Sequence, residues 1–349
     1  MQKGMNSILV TGGGGFVGSH VAEFYAKKDK RVAVLDNLSR TKLLKKEDKN
    51  QEYNWNYLKK YENIELIKGD IRRKEDLSKA IDGIDAVIHC AAQTAVTTSV
   101  IEPEPDFTTN ALGTFNVLEA VRKNDVKAIV YCSTNKVYGE NVNKIPIEEG
   151  EKRYSFGKEF SEGVPEKFSI DLCEHTPYGC SKLAGDLYVQ DYAQLYGIKT
   201  GVFRMSCIYG TRQFGVEDQG WVAWFTIAAL TGKPITIYGD GKQVRDVLFV
   251  NDLVEAYDAF LESSLKQGVF NTGGGAKNTL SLRELIEILE EDINGKIKSS
   301  FSDWRPSDQK VYISDISKLK EQLQWEPKTS PEEGVKELIE WVKENKKLF

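Results

Sequence analysis

Histidine and cysteine are scarce, with three histidines and five cysteines in 349 residues. The cysteines are odd in number and lack the paired spacing of a zinc site. With so few potential ligands we expect no metal centre. Scattered, unpaired cysteines fit the reduced thiols of a cytoplasmic protein.

Long apolar runs and an excess of positive charge are also missing. No stretch approaches the ~20 apolar residues that cross a membrane, and residues 1–7 lack the apolar core of a signal peptide. The formal net charge of -5 disfavours nucleic acid as a partner. We therefore expect a cytoplasmic protein that binds neither a membrane nor nucleic acid and is long enough for one large and one smaller lobe.

Short β-rich runs alternate with helical patterns through the first two-thirds of the chain. Strands are predicted at 8–10, 32–35, 64–67, 86–88 and 128–131, and helices at 16–28, 74–81 and 105–123. This alternation, with near-continuous apolar strands, predicts an α/β fold: a Rossmann-type, doubly wound parallel sheet with helices on both faces.

The order of elements loosens after residue 199. A further core strand is predicted near 199–210, a helix near 221–231, strands in 233–250 with a turn at 239–241, and a helix opened by the capping-box pair Ser281 and Glu284. We assign residues 1–200 to the dinucleotide-binding domain, with contributions from about 201–210 and 245–272. Residues 211–349 form a smaller, mainly C-terminal α/β substrate-binding lobe. Insertions at 39–60 and 139–176 are long enough to be functional or mobile.

Three glycines, Gly12, Gly15 and Gly18, lie at the first strand-to-helix junction. Glycines there let the backbone approach a pyrophosphate at the helix N-terminus, although a tight turn alone would also explain them. Asp36 closes the second strand 18 residues after Gly18, near the ~20 expected of an acid that binds ribose. An acid favours two ribose hydroxyls over a 2′-phosphate, which predicts NAD, whereas Arg40 could pair with such a phosphate.

The stretch "TPYGCSK" places Tyr178 and Lys182 four residues apart, on one face of a helix. An ammonium near a phenol lowers the phenol's pKa from its usual ~10, and an oxidised nicotinamide would act in the same direction. Tyr178 could then take a proton from a sugar hydroxyl at neutral pH, with Thr134 hydrogen-bonded to the reacting oxygen. A surface i,i+4 pair and an ordinary turn hydroxyl are the alternative interpretations.

The "TGGGGFVG" motif, Tyr-x-x-x-Lys and the "VYG" after Thr134 resemble the extended short-chain dehydrogenase/reductase family, whose members modify nucleotide sugars. Blocks such as "NALGTFNVLEAVR", "CSTNKVYGE" and "FRMSCIYGTRQFGVEDQGWVAWF" resemble its branch of CDP-hexose 2-epimerases. The likeness covers nearly the whole chain and is weakest at 39–60 and 151–170.

The resemblance implies site residues beyond the motifs themselves. Catalysis would rest on Thr134, Tyr178 and Lys182. Binding of NAD would involve Gly12, Gly15, Phe16, Val17, Gly18, Asp36, Asn37, Ser39, Arg40, Asp70, Ile71, Ala91, Ala92, Gln93, Tyr178 and Lys182, with Asp70 and Ile71 at the adenine.

Substrate binding is expected at residues of both lobes. Arg245 and Arg305 would grip the diphosphate, since a guanidinium fork fits phosphate oxygens; for either one, a surface ion pair would explain the residue equally well. Thr134, Asn135, Ser206, Gln219, Trp221 and Tyr238 are further candidates, although aromatic residues in such stretches are often part of the core.

Asn135 and Lys136 follow Thr134 where dehydratases of this family carry an Asp-Glu pair. Removal of water from a sugar needs a proton donor and a base, which these two residues do not provide together. Dehydration is therefore disfavoured, and the resemblance implies a redox-neutral epimerisation at C2 of a CDP-hexose, with transient oxidation to a 2-keto sugar. A UDP-sugar 4-epimerase and a catalytically silent, NAD-sensing protein are the alternatives.

Helices 105–123 and 178–196 correspond to the dimer-forming pair of this family. A homodimer or homotetramer is therefore expected, although the apolar faces of these helices could equally be covered by the protein itself.

Overall fold

A computed structural model describes residues 4–40, 50, 52–305 and 308–349. The strands are β1 Ser7–Thr11, β2 Arg31–Asp36, β3 Ile64–Lys68, β4 Ala86–His89, β5 Ala128–Thr134, β6 Ile147–Glu149, β7 Tyr154–Phe156, β8 Lys199–Met205, β9 Cys207–Tyr209, β10 Ile235–Tyr238, β11 Val244–Phe249, β12 Gln267–Thr272, β13 Thr279–Ser281, β14 Ser299–Ser302 and β15 Val311–Tyr312.

The helices are α1 Phe16–Lys27, α2 Tyr53–Leu58, α3 Lys74–Ala80, α4 Val96–Ile101, α5 Pro103–Phe107, α6 Gly113–Lys123, α7 Pro177–Tyr196, α8 Trp221–Thr231, α9 Val250–Glu262, α10 Leu282–Ile293, α11 Ser317–Leu323 and α12 Pro331–Glu344. Short 3₁₀ segments span Asn135–Lys144, Lys158–Phe160 and Lys346–Leu348. Within the described part of the chain, no helix has both the length and the apolar character needed to span a membrane.

A seven-stranded sheet has the order β12-β8-β5-β4-β1-β2-β3. The pairs β1–β2, β1–β4, β2–β3 and β4–β5 are parallel, and β1 and β5 are buried along their whole lengths. The predicted Rossmann-type fold is confirmed. Because the strand order reverses between β1 and β4, a ligand crevice is expected at the carboxyl ends of these two strands.

The helical pattern predicted at 105–123 is interrupted in the structure. Helix α5 ends at Phe107, a π-helical turn spans Thr108–Leu112, and α6 begins at Gly113. Such wide turns frequently occur at functional sites. No periodicity in the sequence indicates this turn, because its apolar residues fit a continuous helix.

Residue contacts divide the chain into two compact units. The first comprises Met1–Val137, Thr176–Arg204 and Tyr257–Phe270, and its core includes buried side chains of β1, β2, β4 and β5. The second comprises Tyr138–His175, Met205–Ala256 and Asn271–Phe349. In the second unit, α8, α10 and α12 pack on β11 and its neighbours around a separate core. The predicted capping box of Ser281 and Glu284 is confirmed at the start of α10.

The second unit includes Tyr138–His175, which the sequence assigned to the dinucleotide-binding domain. The contacts of this insertion explain the difference. Arg153 forms an ion pair with Glu284, and Tyr154 donates a hydrogen bond from its hydroxyl to Asp240 at 2.5 Å. Of the insertion at 39–60, residues 41–49 and 51 lie outside the described residues.

Candidate active site

The turn between β1 and α1 carries the three glycines of the predicted dinucleotide motif. Gly12 has a φ of 72°, and a Cβ atom there would lie 2.6 Å from the backbone nitrogen of Ala91. A Cβ atom at Gly18 would overlap the backbone of Gly12 and Gly13. Gly15 precedes α1, and no side chain caps that helix. The turn therefore lies against the end of β4, with a helix N-terminus whose N–H groups suit a phosphate.

Asp36 ends β2 and places its carboxylate beside this turn. The carboxylate accepts hydrogen bonds from the backbone N–H groups of Gly14, at 2.9 Å, and Leu38, at 2.7 Å. Burial raises the pKa of Asp36. The next residue, Asn37, donates from Nδ2 to Oδ2 of Asp70 at 2.9 Å. An acid beside the glycine-rich turn fits the ribose-binding position of a dinucleotide site.

Asp70 is fixed from a second side by Arg72, whose Nη2 lies 2.7 Å from Oδ2 of Asp70. Although burial acts to raise it, the hydrogen bonds from Arg72 and Asn37 lower the pKa of Asp70 to about 2. Ile71 lies between these two residues and is buried. Ser39 donates its backbone N–H to Oδ1 of Asn37 at 3.0 Å. The structure therefore brings Asn37, Ser39 and Asp70 together.

Three further predicted cofactor residues are partly buried: Phe16 and Val17 in the first turn of α1, and Arg40.

The segment after β4 carries Ala91, Ala92 and Gln93. The two alanines are partly buried, whereas Gln93 is buried and bonds back to its own loop, from Nε2 to the carbonyl oxygen of Ala95 at 2.8 Å. The backbone N–H of Gln93 donates to Oδ1 of Asn110 at 2.8 Å. The side chain of Gln93 thus bonds within its own loop.

Thr134 and Tyr178 are brought together by β5 and α7. Thr134 is the last residue of β5, and Tyr178 is the second residue of α7, after the N-cap Thr176 and Pro177. The side chain of Thr134 faces the phenol of Tyr178 and acts to lower its pKa. The hydroxyl of Thr134 also meets Asn135, donating to Oδ1 at 3.3 Å.

Lys182 lies one helical turn beyond Tyr178 and is 3% exposed. Its ammonium donates to the carbonyl oxygen of Cys132 at 2.6 Å and lies 4.2 Å from the centre of the Tyr131 ring. Burial lowers the pKa of Lys182 to about 8. The lysine therefore carries a charge at neutral pH, in contact with the strand that presents Thr134.

The protein's own groups together raise the pKa of Tyr178, the opposite direction to the lowering expected beside Lys182. Burial raises the pKa of Tyr178 to about 12, and Asp106 and Cys132 act in the same direction, whereas the side chain of Thr134 lowers it. The phenol is therefore protonated at neutral pH, and a further positive charge is required to make Tyr178 a base.

The predicted substrate residues on the second unit fall into two groups. The guanidinium of Arg305 lies 3.9 Å from the centre of the Tyr238 ring and donates to the carbonyl oxygen of Glu217 at 3.1 Å. Gln219 belongs to the same loop, which Trp221 of α8 follows. The structure thus groups Tyr238, Arg305 and the 217–221 segment.

Arg245 and Ser206 have partners elsewhere in the second unit. Arg245 forms an ion pair with Asp308 at 2.7 Å, and the backbone N–H of Asp308 donates to the carbonyl oxygen of Arg305. Ser206 donates its hydroxyl to the carboxylate of Asp246. Arg305 forms its own ion pair with Asp218 at 3.2 Å. A carboxylate therefore lies beside each guanidinium, Asp308 beside Arg245 and Asp218 beside Arg305.

A buried polar group that the sequence did not indicate lies beside Tyr178 and Lys182 and is formed by Asp106, Asn110 and Ser181. Ser181 Oγ donates to Asp106 Oδ1 at 2.5 Å, and Asn110 Nδ2 donates to Asp106 Oδ2 at 3.1 Å. A signal was present, because Asn110 opens the "NALGT" block and Ser181 precedes Lys182. The π-helical turn that carries Asn110 was not predictable.

Residues of the first unit fit a bound dinucleotide. The close approach of Gly12 to Ala91 leaves no room for a side chain at the turn, the N-terminus of α1 is uncapped and has no acid in its first turn, and Asp36 lies at the turn. Together these features offer N–H groups to a pyrophosphate and an acceptor to ribose hydroxyls.

Comparisons with known proteins agree with this geometry. The sequence model of the NAD dependent epimerase/dehydratase family matches residues 8–273. CDP-paratose 2-epimerase of Salmonella typhi is 41% identical over 96% of this chain and 98% of its own length. Two solved structures cover 97% of this chain and 99% of their own: UDP-glucose 4-epimerase of Thermotoga maritima with UDP-glucose, 32% identical with a TM-score of 0.80, and UDP-glucose 4-epimerase of Thermus thermophilus with NAD, 30% identical with a TM-score of 0.78.

The family and the cofactor predicted from the sequence motifs are confirmed. The chain belongs to the NAD dependent epimerase/dehydratase family and is an NAD-dependent nucleotide-sugar epimerase.

Proposed function

We propose that this enzyme inverts C2 of a CDP-hexose, converting CDP-paratose to CDP-tyvelose. The observation that carries the proposal is the 41% identity to CDP-paratose 2-epimerase over nearly the full length of both chains. Asn135 and Lys136 after Thr134 support it further, since neither residue supplies the acid and base that dehydration needs. CDP-glucose, which would give CDP-mannose, is a second substrate to be tested.

In the proposed reaction, Tyr178 takes the proton of the C2 hydroxyl and later returns it. Thr134, whose side chain faces the phenol of Tyr178, orients the reacting oxygen. Bound NAD supplies reversible uptake and return of one hydride, and in its oxidised form a positive charge that lowers the pKa of the phenol. Lys182 keeps an ammonium one helical turn away, supported by the carbonyl oxygen of Cys132.

Inversion requires the 2-keto sugar to present its other face before it is reduced. Arg245 and Arg305 are proposed to hold the diphosphate meanwhile, because a guanidinium binds two phosphate oxygens at once. Each now faces a carboxylate, Asp308 and Asp218 respectively. The substrate diphosphate would replace these carboxylates as the anionic partner.

A UDP-sugar 4-epimerase is the second candidate. The Thermotoga maritima enzyme, solved with UDP-glucose, covers 97% of this chain at 32% identity, and proton abstraction by Tyr178 would serve C4 as well as C2.

Product NMR after incubation with CDP-paratose, CDP-glucose and UDP-glucose separates the candidates. Inversion at C2 of a CDP-sugar is expected, whereas inversion at C4 of UDP-glucose would replace the proposal with its alternative. Absence of turnover across a wider CDP- and UDP-sugar panel would instead favour an NAD-sensing role.

The proposal includes a homodimer or homotetramer assembled through α5, α6 and α7. Large apolar side chains of these helices, of the π-helical turn between α5 and α6 and of the neighbouring α4 are 43–73% exposed. They are Val100, Ile101, Phe107, Leu112, Leu187, Tyr188, Leu195 and Tyr196. Burial of such a surface in a second copy would stabilise an oligomer. Light scattering of the parent and of Leu187→Glu tests this, with a dimer or tetramer expected for the parent and a smaller species for the variant.

A further inference from the structure

Asp106 is a buried carboxylate that the proposed reaction does not use. It lies in α5, is 0% exposed, and takes part in none of the ion pairs found among the described residues. Its two oxygens accept hydrogen bonds from neutral donors, Ser181 Oγ at 2.5 Å and Asn110 Nδ2 at 3.1 Å. A buried charge without a contacting cation is costly, so its position needs a reason beyond packing.

The two donors connect Asp106 to both halves of the proposed reaction centre. Ser181 lies between Tyr178 and Lys182 in α7, and its Oγ is 3.1 Å from the carbonyl oxygen of Tyr178. Asn110 also bonds both backbone groups of Gln93, accepting from N–H at 2.8 Å and donating to the carbonyl oxygen at 3.0 Å. The carboxylate is thus in contact with the catalytic helix and linked to the loop after β4.

Other ionisable groups also surround this reaction centre. Six of them interact electrostatically with Tyr178 or Lys182. They are Asp106 of α5, Asp186 of α7, Tyr131 and Cys132 of β5, His89 of β4, and Cys90 after β4.

Two of these are carboxylates, and they differ in how their charge is compensated. Asp186 is paired directly with Arg204 at 3.0 Å. The charge of Asp106 is compensated only at longer range, by Lys182.

We propose that Asp106 is a positioning residue of the epimerase: its buried carboxylate fixes Ser181 and Asn110 and acts through space on the phenol of Tyr178 and the ammonium of Lys182. A negative charge near the phenol disfavours the phenolate, and near the lysine it favours the ammonium. The carboxylate thereby contributes, after Cys132, Asp186 and Cys90, to keeping Lys182 charged in a buried site, and it adds to the burial that holds the phenol of Tyr178 protonated. This inference rests on the proposed roles of Tyr178 and Lys182.

The direction of the electrostatic effect is the same for both groups. Asp106 raises the pKa of Tyr178, which is about 12, and raises the pKa of Lys182, which burial has lowered to about 8. Neutralising Asp106 therefore lowers both pKa values. If Tyr178 sets the acidic limb of the pH–rate profile and Lys182 the alkaline limb, both limbs move to lower pH.

Asp106→Asn tests this, because it removes the charge while keeping the shape of the side chain. We expect both limbs of the kcat profile to move to lower pH, the limb set by Tyr178 by about one pH unit and the limb set by Lys182 by less, because Asp106 is the weakest of the groups that raise the lysine's pKa. A second readout needs no substrate: the phenolate absorbance of Tyr178, isolated by subtracting the spectrum of the same protein with Tyr178→Phe, should appear about one pH unit lower. Glu104→Gln, an exposed acid in the same helix, is the matched control and should shift neither readout.

A loss of activity in Asp106→Asn without a shift in either readout would reduce Asp106 to a structural residue and overturn the inference, as would parental behaviour in all respects. If Asp106→Asn does not fold, Ser181→Ala is the second variant. It removes the shorter hydrogen bond to Asp106 and thereby raises the pKa of that carboxyl group. Both readouts should then move in the same direction as in Asp106→Asn but by less, and no movement again overturns the inference. Parental activity in Tyr178→Phe would instead refute the proposed function, so the two failures are distinguishable.

Discussion

The close approach of the glycine-rich turn to β4 gives a prediction that separates backbone strain from crowding. Gly12 and Gly232 have nearly the same φ, 72° and 71°, but a Cβ atom at Gly232 meets nothing within 4 Å, whereas at Gly12 it lies within 3.0 Å of backbone atoms of Ala91 and Cys90. Gly18 has no positive φ, and its Cβ atom would overlap Gly12. Alanine at Gly232 therefore tests backbone strain alone, alanine at Gly18 tests crowding alone, and alanine at Gly12 tests both together.

The magnitudes follow from the two contributions. A left-handed alanine costs about 1–2 kcal/mol, and overpacking against backbone costs about 1–3 kcal/mol. Gly232→Ala should therefore lose about 1–2 kcal/mol of unfolding free energy, Gly18→Ala about 1–3 kcal/mol, and Gly12→Ala about 2–5 kcal/mol. The measurement is urea denaturation of the NAD-free proteins.

Binding of NAD provides the functional half of the test. Gly12→Ala and Gly18→Ala displace the turn that is to hold the pyrophosphate, so we expect weaker NAD binding by calorimetry, with parental affinity in Gly232→Ala. Equal stability losses in Gly12→Ala and Gly232→Ala, together with unchanged NAD affinity, would refute the steric reasoning.

Three further outcomes are expected. Tyr178→Phe should lower kcat by about 10²- to 10⁴-fold, the usual contribution of a general base, while NAD content stays parental; unchanged kcat would remove Tyr178 from the reaction. In NAD-free protein the phenol of Tyr178, with a pKa of about 12, should stay protonated at pH ~10, where an ordinary tyrosine is half ionised, as measured by the Tyr178→Phe difference spectrum. Arg204→Met should cost about 3–5 kcal/mol in urea, since it strands the buried carboxylate of Asp186, whereas Lys343→Met, in an exposed pair with Asp292, should cost at most about 1 kcal/mol.

Much of the dinucleotide-binding fold was predictable because its signals are local. The apolar runs that form β1, β2, β4 and β5 are short and largely buried, and Gly12, Gly18 and Asp36 lie at fixed offsets from two of them. The capping box at Ser281 is likewise a local pattern. Such features depend on residues within a few positions of one another, which a sequence displays directly.

Features that depend on distant contacts were not predictable. The pairing of Asp106 with Ser181 joins residues 75 positions apart, and the π-helical turn that carries Asn110 leaves no trace in the periodicity. The raised pKa of Tyr178 arises mainly from burial, which depends on the folded protein around the phenol. Sequence spacing placed Lys182 beside Tyr178 but did not show that its ammonium would bind the carbonyl oxygen of Cys132.

Hydride transfer at C2 is the central claim, and the fate of an isotope at that carbon tests it most directly. The enzyme is incubated with CDP-paratose deuterated at C2, and the product is examined by NMR and mass spectrometry. We expect CDP-tyvelose that retains deuterium at C2, because the hydrogen removed from one face is returned to the other within the site. Loss of the label to solvent would contradict this expectation and indicate inversion by enolisation.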